Sequence, residues 1–146
     1  MPTRTATTTW TGDLQNGSGN VEMTSSKVGT YEVSFPKRAA EEAGGTTSPE
    51  ELIAAAHSSC FAMQFSNQLA QAGATNARLT VRSDVTLGPD PAGGFRIRGS
   101  KITVRGSADG IDNDTFVKAA ESAKVGCPVS KALTGTEISL DAALGD

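Results

Sequence analysis

From Leu52 to Ala77 the chain carries no Asp, Glu, Lys or Arg. A helix without a charged face has no side that prefers water, so it must bury most of its surface. Phe61, Phe65 and Leu69 fall four apart in this stretch, which stacks them in one row of a helix. A membrane span is excluded by the polar residues that interrupt the run, among them His57, Gln64, Asn67, Gln68 and Gln71. The remaining reading is a core helix. Its small residues Ala54, Ala55, Ala56, Ser58 and Ser59 permit close packing, including against another subunit.

The start of this helix is written locally. Ser48 suits the N-cap and Pro49 the first helical position. Glu50 and Glu51 meet the positive end of the helix dipole, and Glu51 stands where a capping box needs it. The helix is expected to run to about Ala72, stopped by Gly73.

Around it the pattern is mostly β. Thr5 to Thr11, Val21 to Thr24 and Tyr31 to Phe35 read as a meander of about three strands, with turn residues Asn16 to Asn20 between the first two. Pro36 to Thr47 reads as a loop. Leu79 to Leu87 alternates apolar and polar residues, Pro89 to Gly94 is a hairpin loop, and a return strand begins at Phe95. Its alternation changes phase near Gly99 and Ser100, which predicts a bulge. A second helix opens at Asp112–Asn113–Asp114 and ends at Gly126. A short third helix follows Cys127–Pro128, and Glu137 to Leu140 forms a last strand. The order β-β-β-α-β-β-α-α-β predicts one α+β domain over residues 1–146, with an antiparallel sheet packed on the long helix.

The bulk properties exclude several functions. Thirteen basic residues against sixteen acidic ones are scattered without a nucleic-acid footprint. The N-terminus lacks the apolar segment of a signal peptide, so a cytoplasmic address and no membrane association are expected. Two cysteines and one histidine are too few for a structural zinc site, and no cofactor or metal is expected.

The two cysteines, Cys60 and Cys127, are the natural redox centre. In the cytosol such a pair is more often catalytic than structural. Cys60 lies mid-helix, where burial raises a thiol pKa, so it needs a cation to become a nucleophile. Arg38 and Lys37 in the preceding loop are the candidates. Arg38 is the better suited, because its guanidinium stays charged when buried. Glu50 is the acid that could anchor it. Cys127, just before Pro128, lies at a helix start whose dipole favours thiolate. Such a pair suits a peroxidatic and a resolving thiol. The plainer readings are that a buried cysteine serves as a small hydrophobe and that His57 is a hydrogen-bonded core residue. A Cys60–His57 thiol hydrolase or acyltransferase and a non-enzymatic redox sensor are alternatives.

Ser48 to Phe61, with its Pro-Glu-Glu-Leu start and its cysteine before Phe61, resembles the long-helix motif of the OsmC/Ohr family. Gly126 to Leu133 resembles that family's second cysteine motif, and Trp10 to Leu14 and Ile138 to Asp141 also fit. His57 and the Cys-Pro-Val-Ser block favour the OsmC branch. The resemblance implies an intertwined homodimer and a thiol peroxidase of oxidative or osmotic stress defence that reduces organic hydroperoxides to alcohols. It implies Cys60 as the peroxidatic cysteine, Cys127 as the resolving one, and Arg38 held by Glu50. An external dithiol, a lipoyl-bearing or thioredoxin-like protein, would reopen the disulfide. Leu52, Ile53, Ala56 and Met63 are expected to line an apolar substrate pocket.

Overall fold

Ser48 begins the long helix as its sequence directs. In the computed structural model, which describes residues 1–146, its hydroxyl accepts the Glu51 N–H at 3.1 Å. The helix spans Pro49–Gln71, and Gly73, at φ 86°, turns the chain away from it. The chain folds as two units, Met1–Leu52 and Ile53–Asp146, so the first turn of this helix belongs to the first unit and the rest to the second. No helix is long and apolar enough to cross a membrane.

In the first unit, β1 (Thr7–Thr11), β2 (Ser18–Glu22) and β3 (Thr30–Val33) form an antiparallel meander. Trp10 pairs with Gly19, and any side chain there would collide with the indole, so the glycine lets the ring lie over β2. Part of the expected Pro36–Thr47 loop is instead a short helix, α1 (Phe35–Ala39). Ser34 caps it by accepting the Lys37 N–H, and Pro36 falls in its first turn, where a missing N–H costs nothing. Proline there starts a helix rather than preventing one. The long helix is α2.

In the second unit, β4 (Thr75–Pro89) and β5 (Phe95–Asp109) form a long antiparallel hairpin. α3 (Asn113–Gly126) and α4 (Pro128–Ala132) then carry the chain back to β6 (Glu137–Leu144). β6 runs parallel to β5, because a helical crossover returns the chain in the same direction. The architecture is α+β, as the element order predicts. The antiparallel sheet foreseen is two three-stranded sheets, one with a parallel pair. The predicted bulge is present: Thr86 pairs with Gly99 and Leu87 with Ile97, leaving Arg98 as the extra residue.

The core of this unit packs α2 on β5 and α3. Phe61, Phe65 and Leu69 meet Ile102, Val104, Phe116 and the alanines of α3. The Phe65 ring meets Phe116 edge-on at 4.9 Å between centroids and lies 5.6 Å from Phe61. Only one side of α2 is buried this way. Ala56, Ser59, Met63, Ser66 and Ala70 are exposed.

Phe65 touches two other aromatic rings and is fully buried. Phe65→Ala is expected to cost about 3–5 kcal/mol of stability in urea denaturation. A loss below about 1 kcal/mol would mean that this cluster is not the core.

Candidate active site

The apolar row of α2 begins one turn before Phe61, at His57, and the imidazole is fully buried. A buried polar ring must be hydrogen-bonded or destabilise the fold. Both of its nitrogens are satisfied: Nδ1 lies 2.7 Å from Ser100 Oγ and Nε2 lies 2.8 Å from Ser130 Oγ. Ser100 in turn lies 2.9 Å from Ser83 Oγ. Burial lowers the His57 pKa, so the ring is neutral. These bonds occupy both nitrogens without Cys60, which removes the geometric basis for a Cys60–His57 dyad.

Cys60 is half-buried on α2, and Cys127 is fully buried between α3 and α4; neither is in a disulfide. Each thiol bears on the ionisation of the other, and their environments differ in sign. Burial pushes the Cys60 thiol up. The Val129 N–H pulls it down, but the neighbouring Cys127 sulfur pushes it up again, and the net is a raised pKa. Burial also pushes Cys127 up, yet four hydrogen-bond donors outweigh it: the Ser130 N–H, the Cys60 thiol, the Ser130 hydroxyl and the Val129 N–H. The net is a lowered pKa. Cys127 stands at the N-cap of α4 without forming a true capping bond, so its sulfur feels the N–H dipoles of the first turn rather than one ideal contact. The surroundings thus favour a thiolate at Cys127 and oppose one at Cys60.

In the first unit, Arg38 at the end of α1 meets Glu50 in the first turn of α2. Nη2 donates to Oε1 at 2.7 Å, and Nε donates to both carboxylate oxygens at 3.1 and 3.2 Å. Glu50 is buried and Arg38 half-buried, so removing either partner would leave the other's charge poorly solvated and unpaired. Lys37, one residue earlier, forms no ion pair.

Leu52 and Ile53 are half-buried, while Ala56 and Met63 are exposed. Two open clefts, of about 290 and 390 Å³, are lined by other residues, chiefly of α4, β5 and β6. No group of three or more His, Cys, Asp or Glu side chains gathers to hold a metal ion.

Ser83, Ser100 and Ser130 are not among the site residues expected from the sequence. A signal exists for two of them. Once the bulge at Arg98 is allowed for, Ser100 takes the same inward alternation as Ile102 and Val104. Ser130 follows Cys127 by one helical turn. A polar residue at an inward position implies a buried partner, and His57 is the polar member of the apolar row.

A family model described as OsmC-like protein matches residues 42–141. The chain belongs to the OsmC-like family. The peroxiredoxin OsmC of Escherichia coli (strain K12) is 39% identical over 132 residues, covering 90% of each chain, and that of Shigella flexneri matches to the same degree. Among solved structures, an organic hydroperoxide resistance protein from Elizabethkingia anophelis superposes with a TM-score of 0.77 at 26% identity, covering 99% of this chain and 98% of that one. OhrB of Bacillus subtilis gives 0.73 at 25% identity, covering 97% and 98%. This OsmC-like chain thus resembles peroxiredoxin OsmC in sequence and organic hydroperoxide resistance proteins in fold.

His57 is the only histidine, so it gives the fold a distinct pH signature. Its folded pKa is lowered from 6.5. As pH falls through that value the unfolded chain takes up a proton that the folded chain refuses. The stability contribution is thus present above pH 6.5 and is lost as pH falls toward the folded value. Urea midpoints between about pH 7.5 and 5.5 should fall more steeply for the natural protein than for His57→Gln. Equal slopes would contradict a buried neutral imidazole.

Proposed function

We propose that this hydroperoxide-reducing peroxidase works through a dithiol cycle in which Cys60 is oxidised and Cys127 resolves it. The observation that carries the reading is the contact between two free thiols, one on the long helix and one at the start of α4. The substrate is an organic hydroperoxide, the compound class to which the structural relatives confer resistance by name.

The Cys60 thiolate attacks the distal peroxide oxygen. The O–O bond breaks, the alkoxide leaves and takes a proton to become the alcohol, and Cys60 becomes a sulfenic acid. The Cys127 sulfur then attacks the Cys60 sulfur. The S–O bond breaks, the hydroxide leaves as water after protonation, and a disulfide joins the two residues. An external dithiol, from a lipoyl-bearing or thioredoxin-like protein, reduces that disulfide and restores both thiols.

Because burial raises the Cys60 pKa, the first step needs a cation. Arg38 is proposed for that role over Lys37. Its anchoring to Glu50, on the helix that carries Cys60, is what supports the choice. The protein is further proposed to act as one domain in an intertwined cytoplasmic homodimer serving oxidative or osmotic stress defence. Two features support the domain and the dimer. The family match crosses the boundary between the two units. The exposed uncharged positions Ala56, Ser59, Met63, Ser66 and Ala70 alternate three and four apart, the spacing of a helix–helix seam. Leu52, Ile53, Ala56 and Met63 are proposed to supply the apolar surface that an alkyl or lipid peroxide prefers over hydrogen peroxide.

Cys60→Ser is expected to lower kcat/KM for cumene hydroperoxide by at least about a thousandfold, with dihydrolipoamide as reductant. Cys127→Ser should consume one equivalent and stop with a sulfenic acid that dimedone traps. Multiple turnover by the Cys60 variant would remove Cys60 from the reaction.

A further inference from the structure

Cys127 is fully buried, yet the cycle requires its sulfur to lose a proton before it attacks and to regain one after reduction. A line of hydrogen bonds runs up to it from the sheet: Ser83 to Ser100 at 2.9 Å, Ser100 to His57 at 2.7 Å, His57 to Ser130 at 2.8 Å, with Ser130 one turn after Cys127 in α4. Three of its members, Ser100, His57 and Ser130, are buried, and Ser83 is half-buried. No buried polar side-chain atom of the chain lacks a partner, and the Ser130 hydroxyl also bears on the Cys127 sulfur, lowering its pKa. We propose that Ser130 is a catalytic residue of the resolving step and that His57 is the positioning residue that aims its hydroxyl at the Cys127 sulfur. The proposal rests on the dithiol cycle above.

The direction of each bond follows from counting protons. A neutral imidazole has one N–H and one bare nitrogen. When Cys127 is a thiolate, Ser130 donates its hydroxyl proton to the sulfur and must accept from His57 Nε2–H. Nδ1 is then bare and accepts from Ser100, whose oxygen accepts from Ser83. When Cys127 is a thiol, every bond can reverse: the S–H donates to Ser130, Ser130 to Nε2, and Nδ1–H to Ser100. The same four side chains thus serve both states of the sulfur, and changing between them moves one proton along the line. An isolated serine could face either way. The imidazole locks both serines into one sense at a time.

The groups that bear on the Cys127 sulfur are the Cys60 thiol from α2 and the donors of Ser130 and Val129 in α4. No carboxylate or ammonium group is among them, so the hydroxyl of Ser130 has no stronger competitor from a full charge. Its effect should be felt twice. In resolution, Cys127 thiolate attacks the Cys60 sulfenic sulfur; the S–S bond forms, the S–O bond breaks, and the electron pair leaves with hydroxide. In reduction, a dithiol thiolate attacks Cys60 and the S–S bond breaks. Cys127 then departs as thiolate, and a better-stabilised leaving thiolate departs faster.

The test separates the steps. Fully reduced protein is mixed with one equivalent of cumene hydroperoxide, and disulfide closure is followed from free-thiol loss across about pH 5–9. Ser130→Ala is expected to slow closure about tenfold at neutral pH and to move its pH midpoint upward, the loss of one hydrogen bond to a charged sulfur. His57→Gln should move the midpoint in the same direction. Ser130→Thr, which keeps the hydroxyl, should restore most of the natural rate. If Ser130→Ala and His57→Gln leave the closure profile unchanged, or if Ser130→Thr is as slow as Ser130→Ala, the residues act only in packing and the proposal fails. Trapping of Cys60 sulfenic acid in Cys127→Ser reports on the dithiol cycle alone, so failure of that cycle is distinguishable from failure of the hydrogen-bond line.

Discussion

Everything in the second unit depends on one row of side chains. His57, Phe61, Phe65 and Leu69 repeat every four residues on α2, and all are buried at 1% exposure or less. The three apolar members supply the packing that holds α2 on β5 and α3. Their register leaves no freedom for the rest of the helix. Once Phe61 is in the core, His57 must be there too, one turn earlier, and Cys60 must lie at the edge of the same face. The apolar contacts therefore set the positions of the polar and reactive groups.

A buried imidazole is costly in isolation, and here two serines satisfy it. Ser100 and Ser130 come from β5 and α4, elements that the helix already packs among or that follow directly from α3. The first turn of α4 adds the N–H dipoles that favour a thiolate at Cys127. The pair is consequently unequal. Hydrogen bonds favour a thiolate at Cys127, while burial and the neighbouring sulfur oppose one at Cys60.

Much of this was legible in the residues. The absence of charge from Leu52 to Ala77, the Ser48 cap and the four-residue spacing of Phe61, Phe65 and Leu69 define α2 almost to its ends. The change of phase near Gly99 announces the bulge at Arg98. His57 was foreseen as a hydrogen-bonded core residue, but not its partners, which lie 43 and 73 residues away and reach it only through tertiary packing. The parallel pairing of β6 was also hidden, because a strand's own pattern carries no direction. α1 lies largely within the stretch expected as a loop, although Ser34 and Pro36 are the kind of cap and first-turn residue that start a helix. Local signals thus specified the elements well. What they left open was which elements meet.

The central claim is that Cys60 and Cys127 exchange electrons as one unit. The most direct measurement is peptide mass spectrometry of the protein after one equivalent of organic hydroperoxide, without added reductant. The account predicts one cross-linked species joining the Cys60 and Cys127 peptides, two hydrogens lighter than their sum and abolished by dithiothreitol. Oxidation confined to one cysteine, carried on to sulfinic or sulfonic acid with no cross-link, would contradict it.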